Sequence, residues 1–257
     1  MDQLRELIKG EMGRDIVSLG TVESTNSLAM ELADKGACHG TVVIADSQTK
    51  GRGRMGRIWI SPSGGNIYMS VILTPPIKLQ EATVLTIMAG VACCGALRNI
   101  TGPPVEIKWP NDLVVSHKKL GGILTEIKSG ASKMVYAVMG IGINVNTKIE
   151  DFPFEVRTIA TSVRNEKGKT GSRTFLIAEI LNELDRWYRV FAQEGKKNLL
   201  TEWRRLTSMM GKPVQVTMGG EIINGLAHDI DDEGRLLVRL PSGALRRISF
   251  GDVVILR

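Results

Sequence analysis

The sequence predicts an α+β protein: a mixed α/β main domain over residues 1–209 and a small all-strand domain over residues 210–257. Three observations carry this. Helical and strand-like hydrophobic periods are interleaved up to about residue 209. From Gly211 onward only short period-two runs remain, separated by Gly219-Gly220, Asp231–Gly234 and Pro241–Gly243. A chain of 257 residues is also long enough to bury one substantial core and carry a small unit beside it.

Taken in order, Leu4, Leu7 and Ile8 predict one short helix within residues 1–14. That is too little chain for a separate DNA-reading domain, since three average helices need about 33 residues. Ile16–Leu19 follows as a strand. Ser24-Thr25-Asn26 then starts a helix in which Leu28, Leu32 and Ala33 share a face and Gly36 marks the stop. Thr41–Ala45 is a short apolar strand. Residues 47–65 hold four bases, no acid and five glycines, the composition of an exposed, adaptable loop.

Asn66–Leu73 resumes a strand, and Glu81–Asn99 is an apolar, alanine-rich helix. Strands at Val105–Trp109 and Leu113–Val115 flank Pro110-Asn111-Asp112, with a polar turn at Ser116–Lys119. Ile123–Ile127 and Val135–Ile143 have the apolar character of central strands. The period from Thr174 to about Phe191, continuing at Leu199–Leu206, is the last long helical region. Five short strands in the remaining segment predict a small barrel.

Composition excludes several classes. The chain is 43% hydrophobic and 23% charged, unlike a disordered protein. No apolar run approaches the roughly 20 residues of a membrane span, and the N-terminus lacks the apolar core of a signal peptide. Three cysteines form no CxxC pair and the three histidines are scattered, which argues against a zinc framework. A cytoplasmic protein independent of disulfides follows, with Cys93 and Cys94 assigned to packing. The net charge of +6 favours anionic partners without choosing among them.

Three segments carry candidate chemistry. Gly51-Arg52-Gly53-Arg54-Met55-Gly56-Arg57 combines a flexible backbone with guanidinium forks that match carboxylate and phosphate oxygens. It lacks the frame of a dinucleotide or P-loop motif, so a small-anion site, an RNA-binding loop and a solvated surface loop all remain open. Lys108-Trp109-Pro110-Asn111-Asp112, followed by Lys118-Lys119-Leu120-Gly121-Gly122, places two lysines and a carboxylate near a stiff Trp-Pro step; a hairpin with a solvated lysine turn is the alternative. Gly140-Ile141-Gly142-Ile143-Asn144 leaves one strand face bare, for a flat ligand or for a tightly packed neighbour.

In this order, the STN run at 24–26, GRGRMGR, KWPNDL from Lys108, KKLGGIL from Lys118 and GIGINVN from Gly140 resemble the biotin protein ligase family over nearly the whole chain. The resemblance implies a catalytic domain related to class II aminoacyl-tRNA synthetases, then an SH3-like β-barrel. With no N-terminal helix-turn-helix segment, the chain is similar to the monofunctional group. Lipoate ligases share the chemistry, but they typically run from arginines into consecutive glycines, whereas here GRGRMGR leads to Trp59. A nucleic-acid-binding module is the other alternative, and the chain lacks the interleaved aromatics that base stacking needs.

The resemblance implies roles by motif. Ser24, Thr25 and Gln48 would hold the biotin ring system, and Asn26, Gly140, Gly142 and Asn144 would join the ligand-binding residues. Arg52 would meet the biotin carboxylate and then the adenylate phosphate, while Arg54 orders the Gly51–Arg57 loop and Trp59 closes over adenine or the biotin tail. Lys119 would contact the reacting carboxylate and α-phosphate, and Gly121 and Gly122 just after it would join the ligand-binding residues. Lys108, Asn111 and Asp112 would shape the nucleotide site, with Asp112 a candidate for positioning Mg²⁺. The family often has alanine where this chain has Gly121. ATP, biotin, Mg²⁺ and a biotinyl-5'-AMP intermediate are implied. So are a biotin carboxyl carrier protein, or another biotin-accepting carboxylase or decarboxylase domain, as partner, and a homodimer.

Overall fold

Side-chain alternation decides which face each strand buries, and it divides the main sheet into a core face and a cleft face. The computed structural model describes residues 1–75, 81–101, 104–130 and 134–256. The main sheet contains β1 (Ile16–Val22), β2 (Val42–Gln48), β3 (Ile67–Leu73), β4 (Glu106–Lys108), β5 (Asp112–Val115), β6 (Lys118–Ser129) and β7 (Met134–Ile143). Their spatial order is β1-β2-β3-β7-β6-β5-β4. β1 and β2 are parallel, and the other neighbours are antiparallel. The sheet is mixed, in agreement with the α+β expectation.

Parallel neighbours need a crossover, and helix α2 (Thr25–Asp34) supplies it between β1 and β2. Ala29 of α2 packs with Val43, Ile72, Tyr136 and Val138. On the other face Met69, Val71, Met139 and Ile141 join a large core with α3 (Ala82–Thr101), α5 (Arg173–Glu194) and α6 (Lys197–Leu206). α3 is apolar on nearly every side because it lies between the sheet and these two helices. Cys93 and Cys94 are fully buried within it, and burial pushes both thiols up, with Cys94 at about 12. Two short helices complete the main unit, α1 (Asp2–Leu7) and α4 (Val163–Lys167).

β5 and β6 form a tighter hairpin than the sequence predicts. Ser116 and His117 both have positive φ, 47° and 67°, so the turn takes two residues and β6 begins at Lys118. Lys119 is consequently a strand residue rather than a turn residue, fixed by pairing with Val114.

The C-terminal strands are β8 (Pro213–Met218), β9 (Glu221–Ile230), β10 (Leu236–Arg239), β11 (Leu245–Ile248) and β12 (Asp252–Ile255). They occur where the sequence places them, but the expected SH3-like β-barrel is not formed. The order is β11-β10-β9-β8-β12, an open antiparallel sheet in which no ladder joins β11 to β12. Closure requires the end strands to meet in register. Here both end strands have four residues and the chain crosses between them through Ser249–Gly251 without pairing. Strand number is legible in a sequence, whereas the tilt that brings end strands into register is not.

This second sheet is fastened to the main core. Trp109 is fully buried, its indole Nε1–H donates to the Gly234 carbonyl at 3.0 Å, and its backbone N–H approaches Met209 Sδ at 3.0 Å. Arg204 of α6 also donates to Asp229 of β9 at 2.6 Å.

Candidate active site

Ser24 caps α2 by accepting from the Ser27 N–H at 3.4 Å, which sets Thr25 and Asn26 at the helix start against the cleft face. The Thr25 N–H and hydroxyl both donate to Gln48 Oε1, at 2.9 and 3.1 Å, and Gln48 Nε2 donates to Ser61 Oγ at 2.9 Å. The Ser70 hydroxyl lies between Asn26 Oδ1 at 2.6 Å and Thr25 Oγ1 at 2.8 Å. Asn26 Nδ2 donates to the Leu124 carbonyl and to Glu126 Oε2. The outcome is a buried, directed set of polar groups in an apolar sheet, suited to a small polar ring.

The glycines form the floor beside it. Alternation along β7 sends Ile141 and Ile143 into the core and leaves Gly140 and Gly142 on the cleft face. Gly142 pairs with Gly122 across β6, which extends the bare surface. A Cβ at Gly140 would stand 2.1 Å from Asn26 Oδ1, and one at Gly142 would stand 2.7 Å from the Trp59 indole. Gly121 is equally constrained, since a Cβ there would stand 2.8 Å from the Gly142 carbonyl oxygen. In this chain an alanine at that position would press on backbone.

The cationic loop is a narrow hairpin laid over this floor. Arg52 bridges Ile58, Gln48 bridges Ser61, and the tip turns at Met55 and Gly56, both with positive φ. The Gly53, Arg57 and Trp59 N–H groups donate to the Arg57, Arg54 and Gly51 carbonyls, so these amides are spent inside the hairpin. Gly51 is needed for close approach, because a Cβ there would stand 2.2 Å from the Trp59 carbonyl oxygen. The far end is held by Asp46, which accepts from Ser63, from the Gly64 N–H at 3.1 Å and from Arg173 at 2.6 Å. Those bonds, chiefly from Ser63 and Arg173, hold the Asp46 carboxyl below its ordinary range.

The loop meets the second segment directly. Arg54 Nη1 donates to Asn111 Oδ1 at 3.1 Å and to the Gly251 carbonyl at 3.4 Å. Burial lowers the affinity of the Arg54 guanidinium for its proton, opposed by Asp252 and Asp112. Arg57 forms a two-pronged pair with Asp252 of β12. Lys119 Nζ sits 5.6 Å from the Trp59 ring centroid and 2.6 Å from Asp112 Oδ1, while Lys108 Nζ is 3.3 Å from Asp112 Oδ2. Asp112 therefore bridges two lysines, each carboxylate oxygen paired with one of them.

Most of the predicted residues thus gather in one place, with different tasks visible for some; Gly121 is an exception, since alternation turns it to the core beside Ile143 and Leu113. Asn144 is buried and its amide donates to the Thr161 carbonyl, bracing the segment that pairs with the Lys119 backbone. Among the participants that the sequence motifs do not mark are Ser70, Glu126 and Asp252, with Ser61, Asp46 and Arg173 behind the loop. Period-two spacing from Gly122 through Leu124 to Glu126 puts that acid on the cleft face, a signal that was available. Asp252 offered none, because its contact with Arg57 spans the two sheets.

Residues 20–144 match the biotin/lipoate A/B protein ligase family, and residues 210–256 match the biotin protein ligase C-terminal domain. The chain is 37% identical to the bifunctional ligase/repressor BirA of Bacillus subtilis over 242 residues, 94% of this chain and 74% of that protein. It is 33% identical to the biotin–[acetyl-CoA-carboxylase] ligase of Mycobacterium tuberculosis, over 100% of this chain and 94% of that one. Its fold resembles the biotin protein ligase of Aquifex aeolicus in complex with biotin and ATP, with a TM-score of 0.81 and 29% identity; the match covers 95% of this chain and all of that one.

Proposed function

The chain belongs to the biotin protein ligase family, and on that premise we propose how its residues perform an ATP- and biotin-dependent ligation. In the first step a biotin carboxylate oxygen attacks the α-phosphorus of ATP. The bond to pyrophosphate breaks and biotinyl-5'-AMP forms. In the second step a lysine ε-amine of a biotin-accepting carrier domain attacks the acyl carbon, loses its proton, and AMP leaves.

One observation carries the assignment of roles: the cationic loop and Lys119 meet over the same glycine floor, through Trp59 and through Arg54 with Asn111. Two anions must approach in the first step. Arg52 and Lys119 offset their repulsion and the charge that develops on the phosphoryl oxygens. Lys119 acts as a charge rather than a nucleophile, because the substrate brings its own carboxylate. Ser24, Thr25, Asn26 and Gln48 orient the ureido ring, and Lys108, Asn111 and Asp112 shape the phosphate side. Trp59 and Arg54 keep water from the mixed anhydride until the carrier lysine arrives.

Magnesium enters this reading as the companion of the ATP phosphates. Among the described residues no three His, Cys, Asp or Glu side chains gather into a metal-holding group, and both Asp112 oxygens face lysines. A Mg²⁺ that keeps its waters and binds chiefly through substrate phosphates suits such a site better than a resident ion.

The same reading divides the chain at residues 209 and 210 into a catalytic unit and a C-terminal unit whose loop supports Arg54 and Arg57. A homodimer is included from family resemblance alone. A cytoplasmic location is included from the cysteine usage. No described helix is long and apolar enough to cross a membrane.

The test is one incubation with ATP, magnesium, biotin and a recombinant carrier domain, read by intact mass. A single added biotinyl group on the carrier is expected, with none from lipoate. Lipoylation in place of biotinylation, or no transfer, would overturn the reading.

A further inference from the structure

Arg52 has a carboxylate partner within the chain. Its Nη2 donates to Glu126 Oε2 at 2.6 Å, and the same oxygen accepts from Asn26 Nδ2 at 2.8 Å. Glu126 stands on the cleft face of β6, two residues beyond Leu124 and four beyond Gly122, opposite Val138. It lines a cleft of about 530 Å³ under the hairpin, together with Lys50, Arg52, Arg54 and Arg57, and it is the one acid among the described residues lining that space. The pair is partly open to solvent, with side-chain exposures of 41% and 24%. Such a pair holds a side chain in place at small net energy and exchanges readily.

We propose that Glu126 is a positioning residue that sets the affinity of the cleft for its acid substrate, by holding Arg52 aimed into the cleft and competing with the incoming carboxylate for it. This rests on the ligase reading, in which Arg52 meets the biotin carboxylate. A substrate carboxylate must draw the guanidinium from Glu126 or share its donors, and it does so beside a second negative charge. Both effects weaken binding of a carboxylate and leave a neutral ligand of the same shape untouched. Asn26 keeps an acceptor if glutamine replaces the glutamate, so charge can be removed without dismantling the polar ring site.

Calorimetric titration of the full chain with biotin and with its neutral carboxamide tests this. Glu126→Gln is expected to bind biotin about threefold or more tightly than the parent, with the gain shrinking as salt rises. Affinity for the carboxamide should not change. Glu126→Gln can keep the bond to Arg52, and Asn26 also retains Leu124 and Ser70, so the variant is expected to fold with a melting temperature near the parent's. Equal or weaker biotin binding by the variant, or an equal gain for the carboxamide, overturns the role of Glu126 alone. A parent chain that binds no biotin overturns the ligase reading with it.

Discussion

The Trp59 indole packs directly over Gly142, where a Cβ would lie 2.7 Å from both Cε2 and Nε1. Trp59 Nε1 is also buried, with no hydrogen-bond partner among the described residues. The bare face of β7 and the end of the cationic hairpin are thus one surface. Gly142→Ala should displace the indole and loosen the hairpin. By the usual cost of overpacking, about 1–3 kcal/mol, KM for biotin should rise roughly tenfold. Pyrophosphate-exchange kinetics measure it, and an unchanged KM would separate Trp59 from substrate binding.

Lys119→Ala removes one charge from the site where two anions meet. Loss of a comparable preorganised stabiliser costs roughly 3–4 kcal/mol, or 10²–10³ in rate. Adenylate formation should fall by that factor with folding intact, because Asp112 keeps Lys108. Exchange activity near the parent rate would remove Lys119 from the chemistry.

Arg54→Gly cuts the links from the hairpin to Asn111 and to the Gly251 carbonyl. More biotinyl adenylate should escape, and biotin should appear on lysines outside the carrier's target site. A release assay on washed enzyme, paired with peptide mapping, reads both. Retention equal to the parent would assign water exclusion to other residues.

Trp109→Phe removes the indole N–H that reaches the second sheet and leaves the buried Gly234 carbonyl without that donor. An unsatisfied buried group costs about 1–3 kcal/mol, so the urea midpoint should drop with ligase activity retained in the folded fraction. A midpoint within error of the parent would mean that the sheets are joined mainly by apolar packing.

Asp46 ties Ser63, Gly64 and Arg173, and these partners lower its pKa from the ordinary 3.8. A group depressed on folding stabilises fully above its unfolded pKa and loses that contribution as pH falls through the folded one. Asp46→Asn should therefore lower Tm near neutral pH, and the gap to the parent should close below pH 3.8. Thermal melts across that range decide; a gap independent of pH would mean that the hydrogen-bond geometry, not the charge, is what matters.

Local pattern made much of this legible. The Ser24 cap, the loop of bases and glycines, and the alternation of Gly140-Ile141-Gly142-Ile143 each follow from rules that act within a few residues. The two-residue turn at Ser116 and His117 was harder, since neither is a glycine and only the pairing of β5 with β6 imposes their positive φ. The bracing bond from Asn144 to the Thr161 carbonyl has no local signal, because Thr161 belongs to a segment without a motif.

By itself the sequence determined the kinds of elements, the cationic and lysine-bearing segments, and the family they belong to, because period, capping and composition are properties of neighbours along the chain. Only the tertiary structure decided that Arg52 pairs with Glu126, that Arg57 reaches Asp252, and that the C-terminal strands stop short of a closed ring. Those outcomes depend on sheet twist, strand register and contacts between residues far apart in sequence, and no local pattern encodes the distance between two side chains that only packing brings together.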